Sequence, residues 1–295
     1  MSAEPIKYWN PYTSRVEDEE VYGEGFVRFA YETSLGRFFL WALVKRAFFS
    51  HWYGRKMDRA TSAEKVDPFI QQYDIEMGDY VTPEGGFAHF NDFFYRALAP
   101  GARPIAESKA VFPADGRHIG IQEIGSETWL YAKGFQFKLA TLLAGTELEN
   151  VWKGGTGVIS RLCPVDYHRF HSPVSGKVVS IMDLEGPLFS VSPIALRRNI
   201  DHLLTNKRKI VVIDSPEMGR VAFIPVGATC VGSIVLGVKE GDTIGMGSEL
   251  GYFRFGGSCV ITLFEEGRVN LRSDFASAHC QELELYERMG ASLSS

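Results

Sequence analysis

RVAFIPVGATCVGSIVLGV (Arg220–Val238) is a run of β-branched and small residues broken by glycine and one proline. Valine and isoleucine fit a pleated surface, so such a run reads as strands joined by tight turns. The same texture recurs on both sides of it, in AVFPADGRHIG (Ala110–Gly120), KVVSIM (Lys177–Met182), KIVVIDS (Lys209–Ser215) and SCVITLFEE (Ser258–Glu266). After Pro104 the chain therefore reads as β-rich, with helices expected near Phe137–Leu143 and Pro193–Thr205. Before Pro104 the pattern differs. From about residue 26 to residue 100, aromatic side chains recur at three- and four-residue spacings, a helical period, and end in FNDFFYRAL (Phe90–Leu98). Pro100, Gly101 and Pro104 then break the run. The expected class is α+β: a helical N-terminal layer over 1–104 that associates with membrane, and a β-rich catalytic body over 105–295.

With 295 residues, 45% of them hydrophobic and 23% charged, the chain can bury a sizeable core, which excludes a disordered or fibrous protein. Its 31 Lys+Arg against 36 Asp+Glu give a net charge of −5, a poor match to nucleic acid. That average conceals segregation. Between residues 37 and 59, Arg37, Lys45, Arg46, Arg55, Lys56 and Arg59 face Asp58 alone, a local +5 that leaves −10 for the rest. Phe38, Phe39, Leu40, Trp41, Leu43, Val44, Phe48, Phe49, Trp52 and Tyr53 crowd the same segment, a composition that suits an interfacial helix as well as a buried one. The longest uncharged apolar run, Phe38–Val44, is far below the roughly 20 residues a span requires. The opening MSAEPIKYWN shows neither a secretory nor a transit pattern, so the expected location is the cytoplasm. The acidic run Glu17–Glu20 reads as a solvated face. Cys163, Cys230, Cys259 and Cys280 lie far apart and read as free thiols.

Two further segments, HSPVSGKVVSI (171–181) and GSIVLGVKEGDTIGMGSELGYF (232–253), resemble the flattened barrel-sandwich of biotinyl and lipoyl carriers, though the carriers' modified lysine is not apparent. A site with chemistry is visible in FRFGGSCV (Phe253–Val260). Two glycines without Cβ atoms leave the carbonyl of Gly257 open to the hydroxyl of Ser258. The same residues also read as a β-bulge or tight turn. A serine needs a base and the base a carboxylate. Among seven histidines, His168 and His171 stand together in PVDYHRFHSPVSG, where a strand spacing of three points them to opposite faces. Asp115 in FPADGRHIG is a candidate carboxylate and equally an Asx-turn residue. Nothing of the HExxH or paired-cysteine kind completes a metal site.

In this order and spacing, PADGR, DYHRFHSPVSG and FGGS resemble the phosphatidylserine decarboxylase family, whose serine motif is LGS or GGS. The opening IKYWNPYTSRVEDEEVYG, FNDFFYRAL with ARPI, KGFQFKLATLLAG and the closing strand run look like its shorter, bacterial-type class II branch. The resemblance implies a self-processing lyase of phospholipid biosynthesis that converts phosphatidylserine to phosphatidylethanolamine and CO2 through a Schiff base with a pyruvoyl cofactor. By similarity, Ser258 attacks the carbonyl of Gly257, and elimination from the ester leaves chains 1–257 and 258–295, the second headed by pyruvoyl. These would stay paired as a heterodimer or build a higher oligomer. Asp115 and His171 match the family's activating Asp and His, and His168 matches a second histidine, the expected proton donor to the decarboxylated carbon. Cys259 stands where the family more often has Thr or Ser, so at most an effect on rate is expected.

Lys133, Arg169, Asn206 and Arg208 lie near the matched motifs and are candidate head-group contacts, with solvated cations as the plain alternative. Phe135 and Phe137 are candidates to line the substrate pocket, or core. The implied partners are phosphatidylserine and an anionic membrane surface, touched peripherally from the cytoplasmic side. Cations near such a surface contribute about 1 kcal/mol each. Two other functions fit the same residues: pyruvoyl-dependent decarboxylation of a soluble amino acid, and a non-catalytic carrier-like scaffold.

Overall fold

A computed structural model of the chain describes residues 5–21, 23–39, 47–125, 127–128, 135–229, 234–255 and 258–294. Its strands are β1 (Lys7–Asn10), β2 (Arg15–Asp18), β3 (Gly116–Ile121), β4 (Glu127–Thr128), β5 (Phe135–Gln136), β6 (Thr156–Leu162), β7 (Arg169–His171), β8 (Gly176–Leu184), β9 (Arg208–Ser215), β10 (Gly219–Val226), β11 (Ile234–Leu236), β12 (Thr243–Ile244), β13 (Glu249–Phe253), β14 (Ser258–Phe264) and β15 (Glu284–Glu287). The α-helices are α1 (Glu24–Glu32), α2 (Ser34–Phe39), α3 (Ala47–Met57), α4 (Val66–Gln72), α5 (Phe90–Phe94), α6 (Leu139–Leu142), α7 (Glu149–Trp152), α8 (Pro193–Leu196), α9 (Asp201–Thr205) and α10 (Ser273–Cys280). The α+β class holds: a strand hairpin opens the chain, helices α1–α5 follow over residues 24–94, and strands dominate the remainder.

Ten strands form one open sheet in the order β12-β8-β9-β10-β14-β6-β3-β15-β1-β2, and β11-β13-β7 form a second of three. The β-rich body is thus an open sheet with a smaller one beside it, with no closed barrel among the described residues. Strands β6 and β14 are buried along their whole length, and the two-residue strand period sends alternate side chains to two cores. Val260 and Phe264 join one, with Phe170, Phe223 and Phe253; Cys259, Ile261 and Leu263 join the other, with Trp152 and Ile224. A third core lies in the helical layer, where Met57, Val66, Phe69, Phe90, Phe93 and Phe94 pack around Phe255.

The N-terminal hairpin β1–β2 belongs to the large sheet, with β1 parallel to β15. It carries a correction. The run Glu17–Glu20 is not wholly a solvated face, because the Glu19 carboxylate is buried against Arg161, Nη2 to Oε2 at 2.5 Å, and lies 3.6 Å from Arg117 Nε. Arg161 also holds Glu284 at 2.5 Å, and Arg117 holds Asp166 at 2.5 Å. Two guanidiniums on adjacent strands draw three carboxylates inward, since a buried charge is tolerated only when paired. The helix expected over Phe137–Leu143 is only Leu139–Leu142, and the one over Pro193–Thr205 is two short helices, α8 and α9. Cys163 and Cys259 are buried free thiols; Cys230 and the Cys280 side chain lie outside what is described.

Candidate active site

Three neighbouring strands deliver the candidate residues to one end of the sheet. Ser258 opens β14 and pairs with Leu162, the last residue of β6. The chain then leaves β6 through Cys163–Tyr167 and reaches His168 and His171. On the other side of β6, antiparallel β3 begins at Gly116, so Asp115 sits at the same end. The backbone N–H of His171 donates to the carbonyl of Pro113 at 2.8 Å, which joins the Asp115 segment to β7.

Ser258 is fully buried, and its Oγ has no hydrogen-bond partner among the described residues. A buried hydroxyl without a partner is costly; Thr262 Oγ1 on the same strand is in the same state, so what distinguishes Ser258 is its place at the head of β14, directly after Gly257 in sequence. Gly257, the expected electrophile, lies outside the described residues, as do Gly256, Lys133 and the side chain of Phe135. Burial pushes the Cys259 thiol far up, so a neutral thiol follows the serine.

His171 donates from Nδ1 to the carbonyl of Gly247 at 2.8 Å, an atom that can only accept. The neutral ring therefore accepts at Nε2, from the Tyr167 hydroxyl at 3.0 Å. Burial lowers the His171 pKa, against the opposing pull of the Gly247 carbonyl and of Glu249 and Asp115, so the ring stands as a neutral base. Gly247 has φ +79, which a side chain would resist, and this turn aims its carbonyl at the imidazole.

His168 is fully buried and donates from Nδ1 to the carbonyl of Asp166 at 2.9 Å, leaving the lone pair on Nε2. Phe94 packs against the ring in a tilted contact with centroids 3.8 Å apart, and the same Phe94 meets Phe255 edge-on at 4.9 Å. The His168 carbonyl accepts from the N–H of Phe253 at 2.9 Å. The second imidazole is thereby tied at ring and backbone to the strand that leads into Ser258.

Asp115 is also buried, but its carboxylate is taken by Arg103, Nη2 to Oδ2 at 2.7 Å, and by the N–H of Met289 at 2.8 Å. It makes no hydrogen bond to His171 among the described residues. The structure thus gathers Asp115, His168, His171 and Ser258 at one end of β14, β6 and β3, with no hydrogen bond from Asp115 or from Ser258 Oγ to His171 among the described residues. Arg103, Tyr167 and Phe94 were not singled out from sequence. A buried cation or phenol is visible only once its partner from another strand is known.

The other candidates are more dispersed. Arg169 pairs with Glu249 at 3.0 Å and donates to the carbonyl of Tyr95. Phe137 is core, packed with Leu139 and Trp152. Asn206 spends its amide on the backbone of Phe189 and Gly227. Arg208 is buried, and its partners among the described residues are the carbonyls of Thr141, Leu142 and Asn206. Burial lowers its pKa to about 10, which still leaves it cationic at neutral pH. Through Val226 it lies two strands from Cys259 in one cross-strand row, about 10 Å at the usual strand spacing.

The family model for phosphatidylserine decarboxylase matches residues 90–283. A phosphatidylserine decarboxylase proenzyme of Fusobacterium nucleatum is 39% identical over 292 residues, covering 98% of this chain and 97% of the relative. One from Chlamydia trachomatis is 36% identical over 295 residues, covering 99% and 98%. A phosphatidylserine decarboxylase proenzyme 3 of Schizosaccharomyces pombe is 42% identical over 241 residues, 80% of this chain but 25% of that longer protein.

Proposed function

The chain belongs to the phosphatidylserine decarboxylase family, and on that premise we propose that it is a phosphatidylserine decarboxylase proenzyme whose own Ser258 becomes a pyruvoyl group. The observation that carries the site assignment is the buried Oγ of Ser258 at the head of β14, directly after the Gly-Gly pair in sequence and without a hydrogen-bond partner among the described residues. A hydroxyl poised to attack its own backbone has reason to be held by no other partner.

In the proposed processing step, Ser258 Oγ loses its proton to a neutral imidazole and adds to the carbonyl carbon of Gly257. The Gly257–Ser258 C–N bond breaks, the amine takes a proton, and an ester joins the two segments. Loss of the Ser258 α-proton expels the Gly257 carboxylate and leaves dehydroalanine, whose hydrolysis releases ammonia and forms the pyruvoyl group. His171, held neutral by burial, is the proposed base, taking the proton at Nε2 once the Tyr167 hydroxyl gives up that lone pair, and Asp115 supports it through its charge rather than a direct bond. The two products stay together because β14 lies between β10 and β6, and β15 between β3 and β1, all four flanking strands belonging to 1–257.

A pyruvoyl group supplies a carbonyl that binds the substrate amine and accepts the electrons freed as CO2 leaves. The buried setting of Ser258 fits that chemistry, since a dry pocket does not stabilise the departing carboxylate as water would. His168, in its Nδ1–H tautomer, presents Nε2 as the proposed carrier of the returning proton. Arg208 is the proposed contact for the phosphodiester, as a buried guanidinium at the same end of the sheet whose described partners are carbonyls.

Among the described residues no helix is long and apolar enough to cross a membrane. Peripheral contact through the helical layer is the proposed route to lipid, because Phe26, Phe29, Leu35, Phe38, Phe39 and Trp52 are exposed there beside the cations Arg55 and Lys56. Lys45 and Arg46, which the same reading counts, lie outside the described residues. Pelleting with anionic but not neutral liposomes is expected; pelleting with neither removes this part.

Intact mass spectrometry of the purified chain beside Ser258→Ala tests the processing. Two chains of 257 and 38 residues are expected, the smaller lacking a free amine at its start, against one uncleaved chain for the variant. CO2 released from phosphatidylserine vesicles and not from free amino acids identifies the substrate. A wild-type chain that stays whole and unmodified overturns the reading.

A further inference from the structure

We propose that Asn91 is a positioning residue for self-cleavage, fixing the chain three residues upstream of Ser258 to the helical layer. The inference rests on the processing of the Gly257–Ser258 bond proposed above. Phe255 lies between the end of β13 at Phe253 and the start of β14 at Ser258. Its N–H donates to Asn91 Oδ1 at 2.8 Å in a buried bond. The amide of Asn91, itself fully buried, donates from Nδ2 to Asp58 Oδ1 at 2.8 Å and to the carbonyl of Gly54 at 3.3 Å. These partners fix which end of the carboxamide is oxygen, since a backbone N–H requires an acceptor and the carbonyl of Gly54 requires a donor. One side chain thus bridges the segment before the serine and the C-terminal end of α3.

The ring of Phe255 is held by the same layer. Tyr53 of α3 stacks on it with centroids 5.6 Å apart, and Phe90 and Phe94 of α5 meet it edge-on at 5.1 and 4.9 Å. Asp58 also pairs with Arg254 at 3.5 Å. Downstream, Ser258 is fixed by its register with Leu162. Only Gly256 and Gly257 lie in sequence between the two anchors, and glycine is the residue with most backbone freedom. An intramolecular attack depends on the fraction of time the hydroxyl and the carbonyl carbon spend in reactive geometry. Two anchors with only two residues between them restrict that search; release of the upstream one enlarges it. After the bond is cut, the upstream anchor no longer constrains the reacting group. Asn91 therefore acts on cleavage far more than on turnover.

The test follows freshly synthesised chains on a denaturing gel, then measures decarboxylation per mole of pyruvoyl once cleavage is complete. Asn91→Leu keeps the shape and removes every hydrogen bond; Asn91→Gln keeps a carboxamide that can both accept from the Phe255 N–H and donate to Asp58 and Gly54. Cleavage of Asn91→Leu is expected to slow at least tenfold, with turnover per pyruvoyl falling far less, and Asn91→Gln is expected to recover part of the rate. Melting of each variant in the Ser258→Ala background shows whether the fold is kept. If Asn91→Leu does not fold, Tyr53→Leu decides, because it removes the stacked ring and leaves the hydrogen bonds; slowed cleavage with retained turnover is again expected. Wild-type cleavage rates in the folded variant, or equal losses of cleavage and turnover, overturn the inference. A wild-type chain that never cleaves defeats the processing reading instead, so the two failures are distinguishable.

Discussion

Arg103 grips Asp115 from two of its nitrogens, Nη2 to Oδ2 at 2.7 Å and Nε to both oxygens at 3.0 and 3.1 Å, with both side chains almost wholly out of water. The third Arg103 nitrogen, Nη1, reaches Asp79 at 2.6 Å, and Met289 closes on Asp115 from its N–H. Removing one member of a buried pair strands the other, at a cost of about 3–5 kcal/mol. Arg103→Met is therefore expected to lose stability of that order in urea unfolding of the Ser258→Ala chain. Asp115→Asn keeps the shape but removes the charge that favours a protonated His171. Its cleavage is expected to slow without stopping, because Asp115 does not hydrogen-bond the ring. Complete loss of cleavage with an intact fold would show a tighter coupling than this geometry contains.

The two histidines divide by their surroundings. His171 is neutral, partnered at both nitrogens and tied to the Asp115 segment, whereas His168 is packed against Phe94 and braced against the strand entering Ser258. His171→Ala is expected to block or slow cleavage, leaving mostly a 295-residue chain by intact mass. His168→Ala is expected to cleave and carry the pyruvoyl group but release no CO2 from phosphatidylserine. The reverse pattern exchanges the two roles.

Much of this arrangement was legible before any coordinates. Val/Ile runs mark the strands of the sheet, the three- and four-residue aromatic spacing marks helices α1–α5, and Ser258 stands at the head of a buried strand. What stayed hidden depends on partners far away in sequence. Glu19 looks like one more acid in an exposed run until Arg161, 142 residues later, arrives beside it. Tyr167, Arg103 and Asn91 carry no local pattern at all, since a phenol, a guanidinium or an amide is read by what it bonds. Segments too short to show a period fared worst: Phe137–Leu143 contains a single helical turn, and AVFPADGRHIG becomes strand only from Gly116.

His118 makes a stability prediction with a definite sign. It is buried, accepts at Nδ1 from the Ser160 hydroxyl at 2.9 Å and donates from Nε2 to the carbonyl of Glu287 at 3.3 Å. Burial lowers its pKa to about 3, and Arg117 and Arg272 add to the lowering while the Glu287 carbonyl opposes it. The unfolded chain, titrating near 6.5, binds this proton first, so stability is full above that pH and falls as the medium is acidified towards 3. At one pKa unit per 1.36 kcal/mol, the loss from this residue between pH 7.5 and pH 5 is about 2 kcal/mol. His118→Gln can keep one donor and one acceptor and cannot titrate. In the Ser258→Ala background, which keeps a single chain, its urea stability is expected to drop about 2 kcal/mol less over that interval than that of the parent. His171 and His202, both lowered chiefly by burial, push the parent the same way and remain in both proteins, so they cancel in the difference. Equal drops would mean that His118 takes up its proton in the folded chain as readily as in the unfolded one.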